Sequence, residues 1–253
     1  MSVSAPSSQL LTRSHHTREA LLDAAERLFM TQGHYDTSLR QITAEAQANL
    51  AAVSYHFGSK EALIQAVLKR RLSVINIERL KALDVLEAQA DGAPLKASQI
   101  LEAFFGTLLR IATAPGQDAR GLLLLLERTI TDPAAFIHAV FAQEYAPVID
   151  RFRHALFKAL PGVPQDEIIW RFQFMLGATS YAIVGPTALL RAAGVPQADD
   201  RQDDMSLLIP RLMSFLLGGL RAPLPDSLPP APAEAAEASK RSPPTPHHTG
   251  DRT

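Results

Sequence analysis

The chain has 253 residues, of which 47% are hydrophobic and 20% charged, so it is long enough for two compact helical units with a sizeable core. It contains no cysteine, which excludes a disulfide framework, a cysteine-ligated zinc site and a thiol nucleophile. A formal net charge of -1 is a mild argument against nucleic-acid binding, although a neutral protein can still carry a local basic patch.

Residues 1–16 have no basic start followed by an apolar run, so they do not resemble a signal peptide. The absence of cysteine also fits a reducing compartment, and together these observations predict a cytoplasmic protein. Arg13, His15 and His16 make this segment cationic, and we expect it to be a flexible arm. The first helix is predicted to begin after it, with Thr17 as the N-cap.

The first helix is predicted to be amphipathic. Its apolar side chains follow the i, i+3, i+4, i+7, i+8 spacing of one helical face and are Leu21, Ala24, Ala25, Leu28 and Phe29. Glu19 lies in the first turn, where the helix dipole favours a negative charge. Gly33 is expected to end the helix.

A short second helix is predicted to begin near Thr37. Ser38 and Gln41 have the spacing of a capping box, in which the two side chains bind backbone N–H groups reciprocally. The residues expected to face inward are Leu39, Ile42 and Ala46. Residues 47–48 must then turn the chain into a third helix, with Asn49 as its N-cap.

The third helix combines an apolar face with a small, polar one. Leu50, Val53 and Phe57 recur at i, i+3 and i+7, so we expect them to face inward. The opposite face consists of Ala51, Ala52, Tyr55 and His56, with Ser54 at its flank. Small side chains in the first turn let a helix sink into a groove, and the tyrosine and histidine one turn later can reach phosphate oxygens. The arrangement indicates a helix-turn-helix whose third helix is a DNA recognition helix.

A fourth helix is predicted to begin directly afterwards. Ser59 is its expected N-cap, which directs the Lys60 ammonium and the free N–H groups of the first turn toward a similar anion. Lysine and arginine outnumber carboxylates between Thr37 and Arg71, so the neutral chain has a local basic patch. The cationic arm at 1–16 is either solvated or touches the DNA backbone or minor groove.

These motifs resemble the N-terminal domain of the TetR-type transcriptional regulators over residues 13–70. The matching segments are residues 17–29, 33, 37–42, 51–57 and 59–63. By position, the resemblance implies phosphate-backbone contacts from Ser38, Arg40, Tyr55, His56 and Lys60. It implies that Asn49, Ala51, Ala52 and Ser54 face base edges. The implied partners are double-stranded DNA with a near-palindromic operator and a second copy of the chain.

The main departure from the family pattern is Gln47, because family members usually have glycine in this turn. If the backbone is left-handed there, a residue with a Cβ atom costs on the order of 1 kcal/mol. Either the turn is reshaped or the domain is slightly less stable.

The residues that follow predict an all-helical body. A long helix from residue 60 to about residue 88 connects it to the DNA-binding head. Further helices are expected at about 100–111, 122–126, 132–160, 166–191 and 203–221. Pro147 is expected to kink or divide the third of these.

Two segments need separate interpretation. Residues 172–190 contain no charged residue, but small and polar residues interrupt them, so a buried helix is favoured over a membrane span. From Ala222 the composition shifts to Pro, Ala, Ser and Glu, which cannot bury enough apolar surface to offset the entropy of ordering. Residues 222–253 are therefore predicted to be disordered.

The predicted fold class is all-α. A three-helix helix-turn-helix DNA-binding domain at 17–66 precedes a helical ligand-binding and dimerisation domain at 67–221. The family resemblance implies that the last two helices pair with those of a second subunit. The residues suited to this role are Ala178, Ala182, Gly185, Leu208, Leu212, Phe215 and Leu216. The alternative is that they form core within one chain.

Bulky apolar residues of the body supply the candidate ligand site. They are Phe104, Leu108, Phe136, Phe141, Trp170, Phe174 and Tyr181. Core packing is the alternative for each of them, but together they can leave a cavity of a few hundred cubic ångströms for a hydrophobic ligand, with Arg171 or Gln173 binding a carboxylate. Residues 49–53, 55–60 and 170–177 resemble the PsrA-type branch of the family, which implies a fatty acid or acyl-CoA.

No catalytic set is apparent. His138 and His154 have no nucleophile or paired carboxylate at motif spacing, and neither a glycine-rich phosphate loop nor a metal-ligand cluster occurs. Together with the family resemblance, this predicts a repressor and not an enzyme, with no metal or cofactor, that leaves its operator when a hydrophobic ligand binds. The alternatives are a DNA-organising protein that takes no ligand, and a helical carrier or enzyme for a hydrophobic small molecule.

Overall fold

The computed structural model describes residues 6–114, 121–122, 125–126, 134–184, 192–194 and 201–225. Within these ranges every regular element is helical, which confirms the predicted all-α class. The predicted disordered tail lies outside the described residues from 226 onward.

The helices form a head and a body. The head contains α1 (Pro6–Gln32), α2 (Leu39–Glu45), α3 (Leu50–His56) and the first turns of α4 (Lys60–Ala90). The body adds α5 (Ala97–Leu101), a π-helical segment (Glu102–Gly106), α6 (Thr107–Ala112), α7 (Ala135–Ala159), α8 (Gln165–Val184) and α9 (Arg201–Leu220). Residues 121–122 and 125–126 are also helical, and the leucines among them are buried, as the unbroken leucine run predicted.

α1 begins earlier than predicted. It starts at Pro6, so residues 6–16 are helical where a flexible arm was expected. Thr17 is not an N-cap: it lies inside the helix, and its hydroxyl donates to the carbonyl oxygen of Arg13 at 3.0 Å. Proline suits the first helical position because its missing N–H has no partner there and its φ is already helical.

Two apolar clusters stabilise the described part of the chain. The head cluster includes Leu21, Phe29, Ile42, Val53, Leu63 and Val67. The body cluster is built around Phe104, Phe105, Phe152 and Phe172. Ile137 of α7 is fully buried in the head cluster, so apolar packing continues across the boundary expected between residues 66 and 67. Head and body therefore move only if this packing changes.

Polar side chains also join α4 to α7. Asn76 donates from Nδ2 to the carbonyl oxygen of Glu144 at 2.8 Å. Arg79 is 1% exposed and donates to the carbonyl oxygen of Phe104 at 2.9 Å and to the hydroxyl of Tyr145 at 3.2 Å. These bonds satisfy a buried cation that has no carboxylate partner among the described residues, and they fix α4 against the π-helical segment.

α7 is continuous through its proline. Pro147 lies inside the helix, which runs from Ala135 to Ala159, so the predicted division does not occur. None of the helices in the described ranges is long and apolar enough to cross a membrane.

Candidate DNA interface

Three capped helix starts position the candidate interface. The Ser38 hydroxyl accepts from the Gln41 N–H at 3.2 Å, and the Gln41 side chain accepts from the Ser38 N–H at 2.7 Å, which confirms the predicted capping box. Asn49 and Ser59 cap α3 and α4, because their side-chain oxygens accept from backbone N–H groups at 2.8 Å and 3.1 Å. Ser38 and Asn49 are both exposed, at the starts of α2 and α3.

The turn between α2 and α3 contains a left-handed residue. Gln47 has a φ of 51°, and the N–H of Ala48 donates to the carbonyl oxygen of Thr43 at 2.9 Å to close the turn. The turn therefore keeps a left-handed backbone at this position, although the residue there is glutamine and not glycine. A residue with a Cβ atom adopts a conformation that glycine would adopt without steric cost.

Gln47→Gly is expected to raise the free energy of unfolding by about 1 kcal/mol, because it removes the steric conflict of a left-handed Cβ. The Gln47 side chain is exposed, so the change removes no buried contact. Urea unfolding followed by circular dichroism measures the difference. Ala48→Gly is the matched control: its φ is not positive, so glycine there should lower stability by about 0.5 kcal/mol. If Gln47→Gly lowered the free energy of unfolding, the left-handed conformation of Gln47 would not be strained.

The outer face of α3 begins with small and apolar side chains. Ala51 and Ser54 are exposed, whereas Ala52 is half-buried and packs against the head cluster. The prediction that Leu50 faces inward is wrong: Leu50 is 50% exposed, while Val53 is 1% exposed. The other head helices cover α3 at Val53 and do not reach its first residue, so Leu50 belongs to neither apolar cluster.

The side chains predicted to bind phosphate border this face. Tyr55 is 79% exposed, and its ring packs edge-on against that of His56 with centroids 4.9 Å apart. The Lys60 ammonium lies 3.5 Å from the carbonyl oxygen of Tyr35 in an exposed position. Arg40 is exposed, and within the described ranges no carboxylate pairs with it. The candidate interface thus combines the aromatic pair of α3 with one cation on the adjacent α2 and one at the start of α4.

One negative charge lies beside these cations. The exposed carboxylate of Glu61 accepts hydrogen bonds from its own backbone N–H and from the Ser59 hydroxyl, which lowers the pKa of Glu61 below its usual value. Glu61 is therefore ionised at neutral pH. It stabilises the start of α4 through the helix dipole, while its charge opposes the attraction of Lys60 for a phosphate.

An ion-pair cluster behind the interface joins α1 to α4. Glu26 is 3% exposed, and its carboxylate binds Arg71 and also Arg70, the latter at 2.6 Å. Arg70 also pairs with Asp23 at 2.8 Å. Burial disfavours the charged form of Arg70, but its hydrogen bonds to Glu26 and Asp23 outweigh this and raise its pKa. The cluster fixes the head on the helix that leads into the body.

The six predicted ligand residues whose side chains the structure describes do not share a cavity. Phe104 is fully buried, with its ring centroid 5.1 Å from that of Phe152, and Leu108 is 8% exposed in the same cluster. Phe136 packs against the head cluster instead of the body. The side chain of Phe141 lies outside the described residues.

The other three predicted ligand residues lie on the outside of α8. Trp170, Phe174 and Tyr181 are 60%, 65% and 63% exposed, and the rings of Trp170 and Phe174 are 5.8 Å apart. α9 packs against α8 and exposes Phe215. We call these four residues the outer aromatic face. None of these four side chains is packed in the core of a single chain.

The residues expected at a dimer interface divide between two environments. Leu212 and Leu216 are buried in the body cluster, so core packing within one chain accounts for them. Ala178, Ala182 and Leu208 are half-buried. Gly185 lies outside the described residues.

An open groove lies between α4 and the segment from α5 to α6. Its volume is about 590 Å³, within the usual range of small-molecule sites. Its apolar floor consists of Ala82, Val85, Leu86, Ala103 and Ile111. Its rim carries two ion pairs, Lys81 with Glu78 and Arg110 with Glu102, both at 2.8 Å. We call this feature the α4–α6 groove.

The π-helical segment shapes one wall of the α4–α6 groove. The Glu102 side chain folds over Gly106 and occupies the space that a Cβ atom there would need. From this position its carboxylate binds Arg110, which also donates to the Thr107 hydroxyl at 2.8 Å. Short π-helical segments within α-helices are frequent at functional sites.

Arg171 does not face a cavity. It is 6% exposed, pairs with Glu167 at 2.8 Å, and donates to the carbonyl oxygens of Leu220 and Ala222 at 2.8 Å each. These contacts hold the end of α9 against α8. The prediction that Arg171 binds a ligand carboxylate is wrong, and the alternative, Gln173, is exposed on the outside of α8.

Comparison with known proteins identifies matches in both parts of the chain. Residues 21–67 match the model of the tetR family of bacterial regulatory proteins, and residues 102–219 match that of tetracyclin repressor-like C-terminal domains. The chain is 43% identical over 79 residues to the transcriptional regulator LmrA of Bacillus subtilis, and 35% identical over 65 residues to SrpR of Pseudomonas putida. These matches span 30% and 26% of this chain but only 40% and 30% of the two relatives.

Solved structures share the fold over most of their length. A TetR-family regulator from Streptomyces coelicolor has a TM-score of 0.55 at 21% identity, covering 82% of this chain and 95% of its own. The fatty acid degradation regulator FadR from Bacillus halodurans has a TM-score of 0.54 at 15% identity, covering 81% and 97%. At these identities the likeness concerns the fold alone.

Proposed function

This chain belongs to the TetR family of bacterial regulators, and from that premise we propose that it is a homodimeric repressor released from a near-palindromic operator by a hydrophobic ligand. Its membership makes it a DNA-binding transcriptional regulator and not an enzyme. The observation that carries the proposal is the exposed outer face of α3, which begins with Leu50 and Ala51 and ends with Tyr55. Arg40 is exposed on α2, which packs against α3, and Lys60 begins α4. We propose the cytoplasm as its location.

The proposed interface separates two kinds of contact. Phosphate contacts come from Ser38, Arg40, Tyr55, His56 and Lys60. Base contacts come from Asn49, Ala51, Ala52 and Ser54, of which Ala52 contributes least because it is half-buried. Phosphate contacts fix the orientation of the helix on the duplex, and base contacts select the sequence.

Lys60→Ala is expected to weaken binding to every DNA sequence by about tenfold, because a charge-assisted contact to phosphate is lost. The slope of log K against log salt should become shallower by about 0.9 for each subunit that makes the contact. Fluorescence anisotropy with a labelled duplex at several salt concentrations measures both quantities. Arg40→Ala should behave in the same way.

Lys158→Ala is the control for this experiment. Lys158 is an exposed lysine in the last turn of α7, the end of that helix away from the head. Its removal changes the net charge by the same amount but should leave affinity and salt slope unchanged. If both lysine variants lowered the slope equally, net charge and not α4 would control binding.

The outer aromatic face supports the proposed homodimer. It exposes Trp170, Phe174, Tyr181 and Phe215 on two helices that pack against each other. Large exposed apolar patches on soluble proteins mark interaction sites. We propose that this face binds the same face of a second copy, since an isologous interface needs a patch that is complementary to itself.

Sequence selection from a random DNA library tests two proposals together: that the protein binds a specific DNA sequence, and that it binds as a symmetric dimer. A symmetric dimer should enrich an inverted repeat whose half-sites lie about one helical turn apart, roughly 34–36 Å. A carrier of small molecules would enrich no sequence. A DNA-organising protein would bind without enrichment of a repeat, and a single enriched half-site would contradict the dimer.

We propose the α4–α6 groove as the ligand site. Its apolar floor suits an acyl chain, and Lys81 and Arg110 at its rim can bind a carboxylate or phosphate. The Arg110–Glu102 pair is exposed, with 59% and 56% of the side chains accessible, so an anionic head group can replace Glu102 at little cost. The fatty acid or acyl-CoA proposal rests on the resemblance to the PsrA-type branch, and a regulator of fatty acid degradation shares the fold.

The position of the groove suggests how the ligand acts. α4 begins at the DNA interface with Lys60 and lines the groove with Val85, so one helix connects both sites. A ligand that binds better to a body with a different α4 direction shifts the population away from the spacing that DNA requires. A coupling of about 3 kcal/mol would weaken operator binding about 150-fold.

Val85→Trp is expected to abolish release by ligand and leave operator affinity in its absence unchanged. Val85 is 54% exposed, so a larger side chain fills the groove without disturbing the core. The assay is release of labelled operator by a panel of fatty acids and their coenzyme A thioesters. Ile77→Trp is the control, because Ile77 is 51% exposed on the same helix but does not line the groove. Equal responses of the two variants would place the ligand elsewhere.

A further inference from the structure

The first residue of the recognition helix is an exposed leucine with no protein partner in either apolar cluster. Leu50 is 50% exposed, next to the exposed Ala51. Leaving a leucine in water forgoes the free energy of burying it, so its position suits a surface that becomes covered. The N-terminal residues of a recognition helix are the ones that contact base edges in the major groove. Leu50 is therefore placed at the front of the proposed interface.

The hydrogen-bonding capacity around Leu50 is low. The Asn49 oxygen already accepts from the N–H of Ala52 at 2.8 Å, which uses one of its two lone pairs and leaves the amide N–H groups as the main groups that Asn49 offers a base. Ala51 carries a methyl group alone. The hydroxyl of Ser54 lies a full turn further along the helix. The first turn of α3 thus presents mainly an apolar surface to a base pair.

Only one base offers an apolar group in the major groove. Thymine carries a C5-methyl group there, whereas guanine, adenine and cytosine present hydrogen-bonding groups at their edges. We propose that Leu50, beside Ala51, selects thymine in each half-site by packing against this methyl group. The inference rests on the proposed reading of DNA by α3. It adds a specificity residue that the spacing of apolar residues had assigned to the core.

The methyl group itself can be removed to test the contact. The operator recovered by sequence selection is synthesised with uracil in place of each thymine in turn, applied symmetrically to both half-sites. The unmodified protein should lose about fourfold in affinity per half-site at one thymine position, or about fifteenfold for the symmetric change. Cytosine methylated at C5 at that position should bind better than cytosine. Both comparisons change the methyl group while the rest of each base edge is unaltered.

Leu50→Ala supplies the protein side of the experiment. The variant should bind thymine and uracil duplexes equally, with an affinity close to that of the unmodified protein for uracil. Because Leu50 is half-exposed, the variant should keep its unfolding midpoint in urea. Lys60→Ala is the matched control: it should weaken both duplexes but preserve the thymine-to-uracil ratio.

The thymine-to-uracil affinity ratios of the two variants decide whether Leu50 selects thymine. A thymine-to-uracil ratio that Leu50→Ala abolishes and Lys60→Ala preserves would support it. An enriched operator in which no thymine responds to loss of its methyl group, or a ratio that Leu50→Ala leaves intact, would overturn this inference alone. Failure of the selection to enrich any sequence would overturn the proposed function together with it.

Discussion

Phe104→Ala is expected to lower the free energy of unfolding by about 4 kcal/mol. The side chain is fully buried, and Phe→Ala changes in cores cost about 3–5 kcal/mol because the surroundings only partly fill the cavity. The ring packs edge-on against Phe105, Phe152 and Phe172, with centroids 5.0, 5.1 and 4.8 Å away. The Arg79 guanidinium also lies 3.7 Å from its centroid. Loss of this ring therefore affects α4, α7 and α8 together.

Urea unfolding at one fixed protein concentration measures this effect, because the stability of the proposed dimer would depend on concentration. Phe104→Leu keeps most of the volume and should cost only about 1–2 kcal/mol. Tyr55→Ala removes an aromatic ring that is 79% exposed and should change stability by less than about 0.5 kcal/mol. If Phe104→Ala cost less than about 1 kcal/mol, the site would have spare room, and Phe104 would again be a candidate ligand contact.

The head was largely predictable because its determinants are local. Ser38, Asn49 and Ser59 each cap a helix through a bond to a residue only a few positions away, so the sequence pattern contains the whole interaction. The local pattern also identified Gln47 as the unusual residue of the turn, but it left open whether the turn is reshaped or left-handed, and the φ of 51° shows the second. Leu50 was not, because helical spacing fixes which residues share a face but not how far the neighbouring helices cover that face. The neighbouring helices bury Val53 but leave Leu50, the first residue of α3, half-exposed.

The body was less predictable because burial there depends on the placement of distant helices. Trp170 and Arg171 are adjacent, and hydrophobicity alone places the tryptophan inside and the arginine outside. The structure has the opposite arrangement, since Arg171 binds the carbonyl oxygens at the end of α9, which no local pattern reveals. Phe136 shows the same effect: it belongs to a body helix by sequence but packs against the head cluster.

Glu26→Gln is expected to lower the free energy of unfolding by about 3 kcal/mol, because breaking a buried ion pair leaves an uncompensated charge. Arg70 and Arg71 both lose the Glu26 carboxylate, but Arg70 keeps Asp23 on the same helix, which limits the effect to the lower end of the usual range. The melting temperature should fall by roughly 6–12 °C. Differential scanning calorimetry at fixed protein concentration measures the change.

Glu19→Gln is the control that shows whether the effect of Glu26→Gln comes from the burial of Glu26 or only from the loss of one negative charge. Glu19 also approaches Arg70, at 3.5 Å, but its side chain is 36% exposed, so the loss should be below about 0.5 kcal/mol. Equal effects of the two variants would mean that Glu26 contributes only as a surface charge. Arg70 lies on α4, which also lines the α4–α6 groove. Loosening the contact between α1 and α4 should therefore also weaken the proposed effect of the ligand on operator binding. Retention of the full ligand effect in Glu26→Gln would show that the shared packing at Ile137, and not the ion pairs, transmits the change to the head.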